Sequence, residues 1–174
     1  MISEAVETFV QIKNIPYQLG VKGVPDEILK TGRGNCTSKH LLLGRWLGEM
    51  GYKNVAIGSV QFDWEQIPIP VKYLKLLGPD TMDQHSFLLI DGYPVDATWD
   101  SGMKRYGFPV FDWDGVGATG IGVKPVGEIQ TYELNYLLAR VYAGGYIDIM
   151  RKIIRGPKKT PFNDAVNAWL GRNL

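Results

Sequence analysis

A chain of 174 residues, 45 % hydrophobic and 21 % charged, has the make-up of one globular domain over residues 1–174. At this length a fold buries about 70 % of the surface its unfolded form exposes, so neither a disulfide nor a metal is needed to hold it. The lone cysteine excludes an intramolecular disulfide, and nineteen Lys and Arg against eighteen Asp and Glu give no electrostatic ground for a nucleic-acid or anionic-membrane partner.

The opening "MISEAVETFVQIKNIPYQLG" lacks the basic start, apolar block and cleavage site of a secretory signal, and no apolar run reaches the roughly 18 residues of a membrane span, so cytoplasmic residence is expected. Residues 3–13 predict a short amphipathic helix with Ala5, Val6, Phe9, Val10 and Ile12 on its apolar side. Pro25, Asp26 and Glu27 favour the start of a second helix, which Gly32 stops. From Thr37 to Met50 the apolar residues Leu41, Leu42, Leu43, Trp46, Leu47 and Met50 recur at mixed three and four spacing, the pattern of a helix buried on most sides and ended by Gly51.

"NVAIGSVQF" is an uncharged, β-branched strand candidate. The segment 63–83, with three prolines around a helical "VKYLKLL", is expected to be an excursion between strands in which Trp64, Ile67, Ile69 and Tyr73 cap the core. "QHSFLLIDGYPVDATWD" gives two strand-like runs about Asp91-Gly92, a strong hairpin signal. The glycines at 115, 117, 120 and 122 read as turn and loop. No Gly-Lys-Ser/Thr follows them, so they form no phosphate-binding pattern, and "DWDG" lacks the ligand ladder of a calcium loop. "YELNYLLARVY", "YIDIMRKIIR" and "FNDAVNAWL" are expected to be helical, the first being equally compatible with a strand. The basic cluster Arg151, Lys152, Arg155, Lys158 and Lys159 reads as a solvated face.

Candidate chemistry centres on Cys36, in "GRGNCTSKH". Gly34 and Asn35 permit a sharp backbone that sets Cys36 on the first turn of its helix, where unpaired N–H groups and the helix dipole favour a negative sulfur and polarise a carbonyl. A lone cysteine after glycine is also, more commonly, a small inert hydrophobe. The chain offers two histidines as its base. His40 lies four residues along the same helix and points along that face rather than at the sulfur, which makes it a surface or packing residue whose loss leaves the chemistry nearly intact.

His85 lies in the first strand of the hairpin. With a two-residue Asp91-Gly92 loop, Phe87 opposes Asp96 and His85 opposes Thr98, so His85 and Asp96 are diagonal neighbours about 7–8 Å apart at Cα. An imidazole–carboxylate hydrogen bond is then in reach, fixing the tautomer and leaving the other ring nitrogen for the cysteine. Asp100 has the same parity but stands further out, and Asp91 is committed to the turn. From residues alone, a half-buried strand histidine beside an unrelated surface carboxylate fits equally well.

The order of these parts resembles the transglutaminase-like superfamily, on "GRGNCTSKHLLLGRWLGEMGY" with Cys36, "QHSFLLIDGYP" with His85 and "VDATWD" with Asp96, over roughly residues 13–100. The resemblance implies an α+β, papain-like fold in which the cysteine helix packs on an antiparallel sheet carrying His85 and Asp96. It implies a Cys36–His85–Asp96 triad that forms a thioester on an amide substrate, with no cofactor and no metal. Hydrolysis of a peptide or isopeptide amide is the expected outcome, with transglutaminase-type acyl transfer as the alternative and an inactive binding domain of the same fold as a third. Of the oxyanion donors, only the Cys36 N–H is nameable from the sequence.

Overall fold

The computed structural model describes residues 2–142 and 160–172. Helices α1 (Ile2–Lys13), α2 (Pro25–Thr31) and α3 (Cys36–Glu49) precede strand β1 (Val55–Asp63), the short helix α4 (Val71–Leu74), and strands β2 (Met82–Ile90) and β3 (Tyr93–Val95). A long irregular stretch leads to β4 (Val126–Glu133), α5 (Leu134–Tyr142) and α6 (Thr160–Trp169). The fold is mixed α+β, and its four strands form an antiparallel sheet in the order β3-β2-β1-β4.

The expected helices form close to their expected limits. Pro25 opens α2, and Gly32, in the left-handed region at φ 66°, closes it. The first-turn charge pattern is not what starts α3. Asn35 caps it through a reciprocal box, its side chain accepting from the Ser38 N–H while the Ser38 hydroxyl accepts from the Asn35 N–H. The Asp91-Gly92 turn has positive φ at both residues, 50° and 84°, which is the type I′ geometry of a two-residue hairpin. Pairs Ile90–Tyr93, Leu89–Pro94 and Leu88–Val95 therefore set the anticipated register, and the ladder stops one residue before Asp96.

Strand alternation divides the core in two. Ile57, Leu88, Ile90 and Val95 pack with Leu41, Leu42, Leu43 and Leu47 of α3 and with Leu134 and Leu137 of α5. Val60, Phe62 and Phe87 belong to a second cluster with Trp64, Ile67, Ile69, Trp99 and Phe162, so the expected capping residues at 64, 67 and 69 are core residues, with Tyr73 packed against them. Cys36 belongs to this second cluster although the rest of its helix lies in the first, so the cysteine stands where the two cores meet. Two glycines permit the close packing. A Cβ at Gly44 would lie 2.9 Å from Leu134 and 3.1 Å from Leu88, and one at Gly58 would lie 2.6 Å from the Phe87 ring.

"YELNYLLARVY" divides between the two expected states, ending β4 through Glu133 and then forming α5. "FNDAVNAWL" is helical, whereas "YIDIMRKIIR" and the basic cluster at 151–159 lie outside the described residues. β4 itself has no counterpart among the expected strands. Almost all its side chains are exposed, so it carries no apolar alternation to read. Among the described residues, no helix is long and apolar enough to cross a membrane.

Lys39 is fully buried in α3, and its ammonium donates to the carbonyls of Lys13 at 2.9 Å, Ile15 at 3.1 Å and Thr98 at 2.7 Å. Burial pulls its pKa down to about 7, partly offset by Asp100, Asp96 and Cys36. Three carbonyl acceptors use all three hydrogens of the protonated form, so the ammonium joins the end of α1, the start of α3 and the chain beyond β3. Replacing it leaves these acceptors unmatched, and Lys39→Met is expected to lower unfolding stability by about 3 kcal/mol, read as an earlier urea midpoint.

Candidate active site

The structure brings Cys36, His85 and Asp96 together. Cys36 is the first residue of α3 and is 9 % exposed. The first intrahelical bond runs from the Lys39 N–H to the Asn35 carbonyl, which leaves the amides of Cys36 and Thr37 without an intrahelical acceptor. The sulfur lies 3.9 Å from the Thr37 hydroxyl, which in turn lies 3.3 Å from that of Ser86.

His85 is buried in β2 opposite Val60, with its ring stacked between Phe87 at 6.1 Å and Trp99 at 6.3 Å. Its Nε2 donates to Asp96 Oδ2 at 2.7 Å. With Nε2 held by the carboxylate, Nδ1 is the nitrogen left for the sulfur. Burial by itself pulls the His85 pKa down. The charge and hydrogen bond of Asp96, with a smaller contribution from Cys36, override it and push the pKa up to about 10.

Asp96, 2 % exposed, is stabilised by a ring of donors. Besides His85, Oδ2 accepts from the Gly122 N–H at 2.7 Å and Oδ1 accepts from the Thr98 N–H at 2.9 Å. Burial alone raises its pKa, but the charge and hydrogen bond of His85, with help from His40 and Thr98, hold the carboxyl well below the usual range. The sequence reading assigned no role to the Gly122 contact. A Cβ at residue 122 would stand 3.0 Å from Asp96 Oδ2 and 2.8 Å from the Trp99 ring nitrogen, which itself donates to the Gly122 carbonyl at 2.7 Å. The glycine-rich loop thus serves the site through one close backbone approach, for which a glycine in the loop is the available sequence signal.

Asp100 and His40 take supporting places. Asp100 accepts from the Tyr17 N–H at 2.9 Å and pairs with Arg172 at 2.8 Å, so it fastens distant segments to one another. His40 is fully buried, as a packing residue rather than a surface one. Its Nδ1 donates to the Cys36 carbonyl at 2.7 Å and its Nε2 accepts from the Ala97 N–H at 2.8 Å, tying the cysteine helix to the residue after Asp96. The second bond requires the neutral ring, because a protonated Nε2 cannot accept. Burial lowers its pKa to about 4 against the attraction of Asp96, with His85 lowering it further. Removing His40 therefore removes a strut, and its cost falls on stability, a stronger consequence than its position in the sequence suggested.

A cavity of about 330 Å³ lies beside Gly122, lined by Gln66, Ile67, Pro68, Pro109 and Val123 among others. Among the described residues, no group of His, Cys, Asp and Glu side chains is arranged to hold a metal ion.

The two histidines are expected to titrate on opposite sides of the ordinary imidazole range. In an NMR titration of ¹⁵N-labelled protein, His85 stays doubly protonated until pH approaches about 10, and His40 keeps its Nδ1–H tautomer down to about pH 4. The linked stabilities have opposite signs. The His85 contribution is complete below about pH 6.5 and fades as pH rises through about 10, whereas the His40 cost grows as pH falls from about 6.5 toward 4.

No family model, curated protein or solved structure matches the chain.

Proposed function

We propose that this chain is a cysteine-dependent hydrolase of an amide bond, built on a papain-like, transglutaminase-like core. The observation that carries the proposal is the His85 imidazole, hydrogen-bonded to Asp96 at 2.7 Å in the cluster where Cys36 opens a helix, with Cys36 close enough to act on its charge state. Packing alone does not account for this arrangement, since an isolated core histidine is cheaper when neutral and a buried carboxylate is costly without partners.

In the proposed reaction the Cys36 sulfur adds to the amide carbonyl carbon, and the oxygen takes up the displaced electron pair near the free first-turn amides of α3. Collapse breaks the C–N bond, and His85 Nδ1 protonates the departing amine. A thioester remains on Cys36. His85, now neutral, accepts a proton from water as the water attacks, and the second collapse expels the sulfur as thiolate beside the reprotonated His85 and leaves a carboxylic acid. Asp96 holds the ring orientation and supports the imidazolium without itself being protonated. An amine in place of water gives acyl transfer through the same intermediate.

The small described fold carries no evident acyl-acceptor module, which favours hydrolysis of a peptide or protein amide. A reducing, cytoplasmic setting suits a lone nucleophilic thiol, which must escape oxidation to work. An inactive binding domain would have no need to keep a buried His85–Asp96 pair and a lone thiol in one cluster.

Intact-mass spectrometry after exposure to amide and ester libraries tests the proposal, with an acyl adduct on Cys36 and released product as the expected result. Added amine that diverts product from acid to amide selects transfer instead, and absence of any adduct rejects the enzyme reading. Cys36→Ala is expected to abolish turnover, because the chain contains no other thiol, and His85→Ala to come close to doing so. Asp96→Asn is expected to cost roughly 10³-fold or more in kcat, measured on protein whose circular dichroism remains native.

A further inference from the structure

Addition of a thiolate to a carbonyl develops negative charge on oxygen, and backbone amides on one side of that oxygen leave part of it unmatched. We propose that the Tyr17 hydroxyl is the second oxyanion donor, a catalytic group that touches the acyl oxygen of the substrate; this rests on the hydrolase proposal above.

Three fastenings hold the Tyr17 side chain, which is 5 % exposed. Its backbone bridges in parallel to Gly34, two residues before the nucleophile, through the Gln18 N–H to the Gly34 carbonyl at 2.9 Å and the Gly34 N–H to the Pro16 carbonyl at 3.2 Å. Its own N–H donates to Asp100 at 2.9 Å. Its ring packs edge-on against Trp99 at 4.6 Å, and Trp99 in turn stacks on His85. Extended backbone sends successive side chains to opposite sides, and Gln18 accordingly goes to Arg33 at 2.8 Å while Tyr17 joins the cluster that contains Cys36.

Two neighbouring indoles are committed elsewhere, the Trp99 ring N–H to the Gly122 carbonyl and the Trp64 ring N–H to Asp83, and the Thr37 and Ser86 hydroxyls share one hydrogen bond. The Tyr17 phenol packs in the same buried cluster as Cys36. Cys36 is the charge that acts on it most strongly, ahead of Asp83 and Asp96. Burial first and then these charges hold the phenol well above its usual range, so it remains a donor wherever the sulfur is reactive.

During acylation a sulfur lone pair forms the C–S bond while the carbonyl π pair moves to oxygen. Tyr17 donates a hydrogen bond to that oxygen and keeps its proton. On collapse the pair returns to re-form the carbonyl, and the leaving group departs with the electrons of its own bond to carbon.

The test compares wild type with Tyr17→Phe, which keeps the ring and removes only the hydroxyl, using 4-nitrophenyl acetate and iodoacetamide as separate probes of Cys36. Acylation passes through an oxyanion, whereas alkylation displaces iodide at a saturated carbon and develops none. The expected result is an acetylation rate about 100-fold lower in Tyr17→Phe, read by nitrophenolate release and by the acetyl adduct, with the alkylation rate unchanged. Equal acetylation rates in the two proteins, or an equal fall in acetylation and alkylation, overturn the assignment of Tyr17 and leave the hydrolase proposal standing. A wild-type protein that forms no acetyl adduct overturns both.

Discussion

A carboxylate buried at 2 % exposure governs the arrangement of this fold. Removed from water, the Asp96 carboxylate persists only where donors converge on it, and here they come from three parts of the chain: His85 in β2, Thr98 just beyond the hairpin and Gly122 in the long irregular stretch. Each donor fixes a segment. His85 fixes the register of the hairpin, Thr98 the path of the chain leaving it, and Gly122 the fold of a loop without regular structure of its own. The charge also decides the state of its neighbours, raising His85 and tempering the fall of His40.

A second buried charge, the Lys39 ammonium, works from the other side. Its three carbonyls belong to Lys13, Ile15 and Thr98, so the helix that begins with Cys36 is fastened to the same stretch that carries Asp96. His40, one residue on, repeats that connection through the Ala97 N–H. The sulfur and the carboxylate are thereby placed relative to one another by a lysine and a histidine that take no part in the proposed proton transfers.

The sequence shows α3 and the hairpin because both are local. Leu41, Leu42, Leu43 and Leu47 mark a buried helix within one short window, and Asp91-Gly92 determines its turn through two positive φ values. Parity then carries His85 to the side of Asp96, which is why this much of the candidate site could be worked out before any coordinates. Other parts were less visible for physical reasons. Lys39 looks like a surface lysine, because the carbonyls that justify its burial come from distant parts of the chain. β4 is an exposed edge strand held by backbone pairing to β1, and such pairing leaves little mark on side-chain composition. Gly122 is one glycine among several in its loop, distinguished only by what a methyl group there would strike.

The hairpin turn has a consequence for how the chain tolerates change in length. Asp91, Gly92 and Tyr93 are exposed, and exposed loop tips ordinarily accept insertions with little penalty. Here the two-residue span sets which side of the strand Asp96 occupies, and one added residue would turn the carboxylate away from the imidazole while every core contact on β2 stayed available. A site freely open to water is thus among the positions least free to lengthen, because a tag or spliced segment placed there would strip a buried carboxylate of its donors.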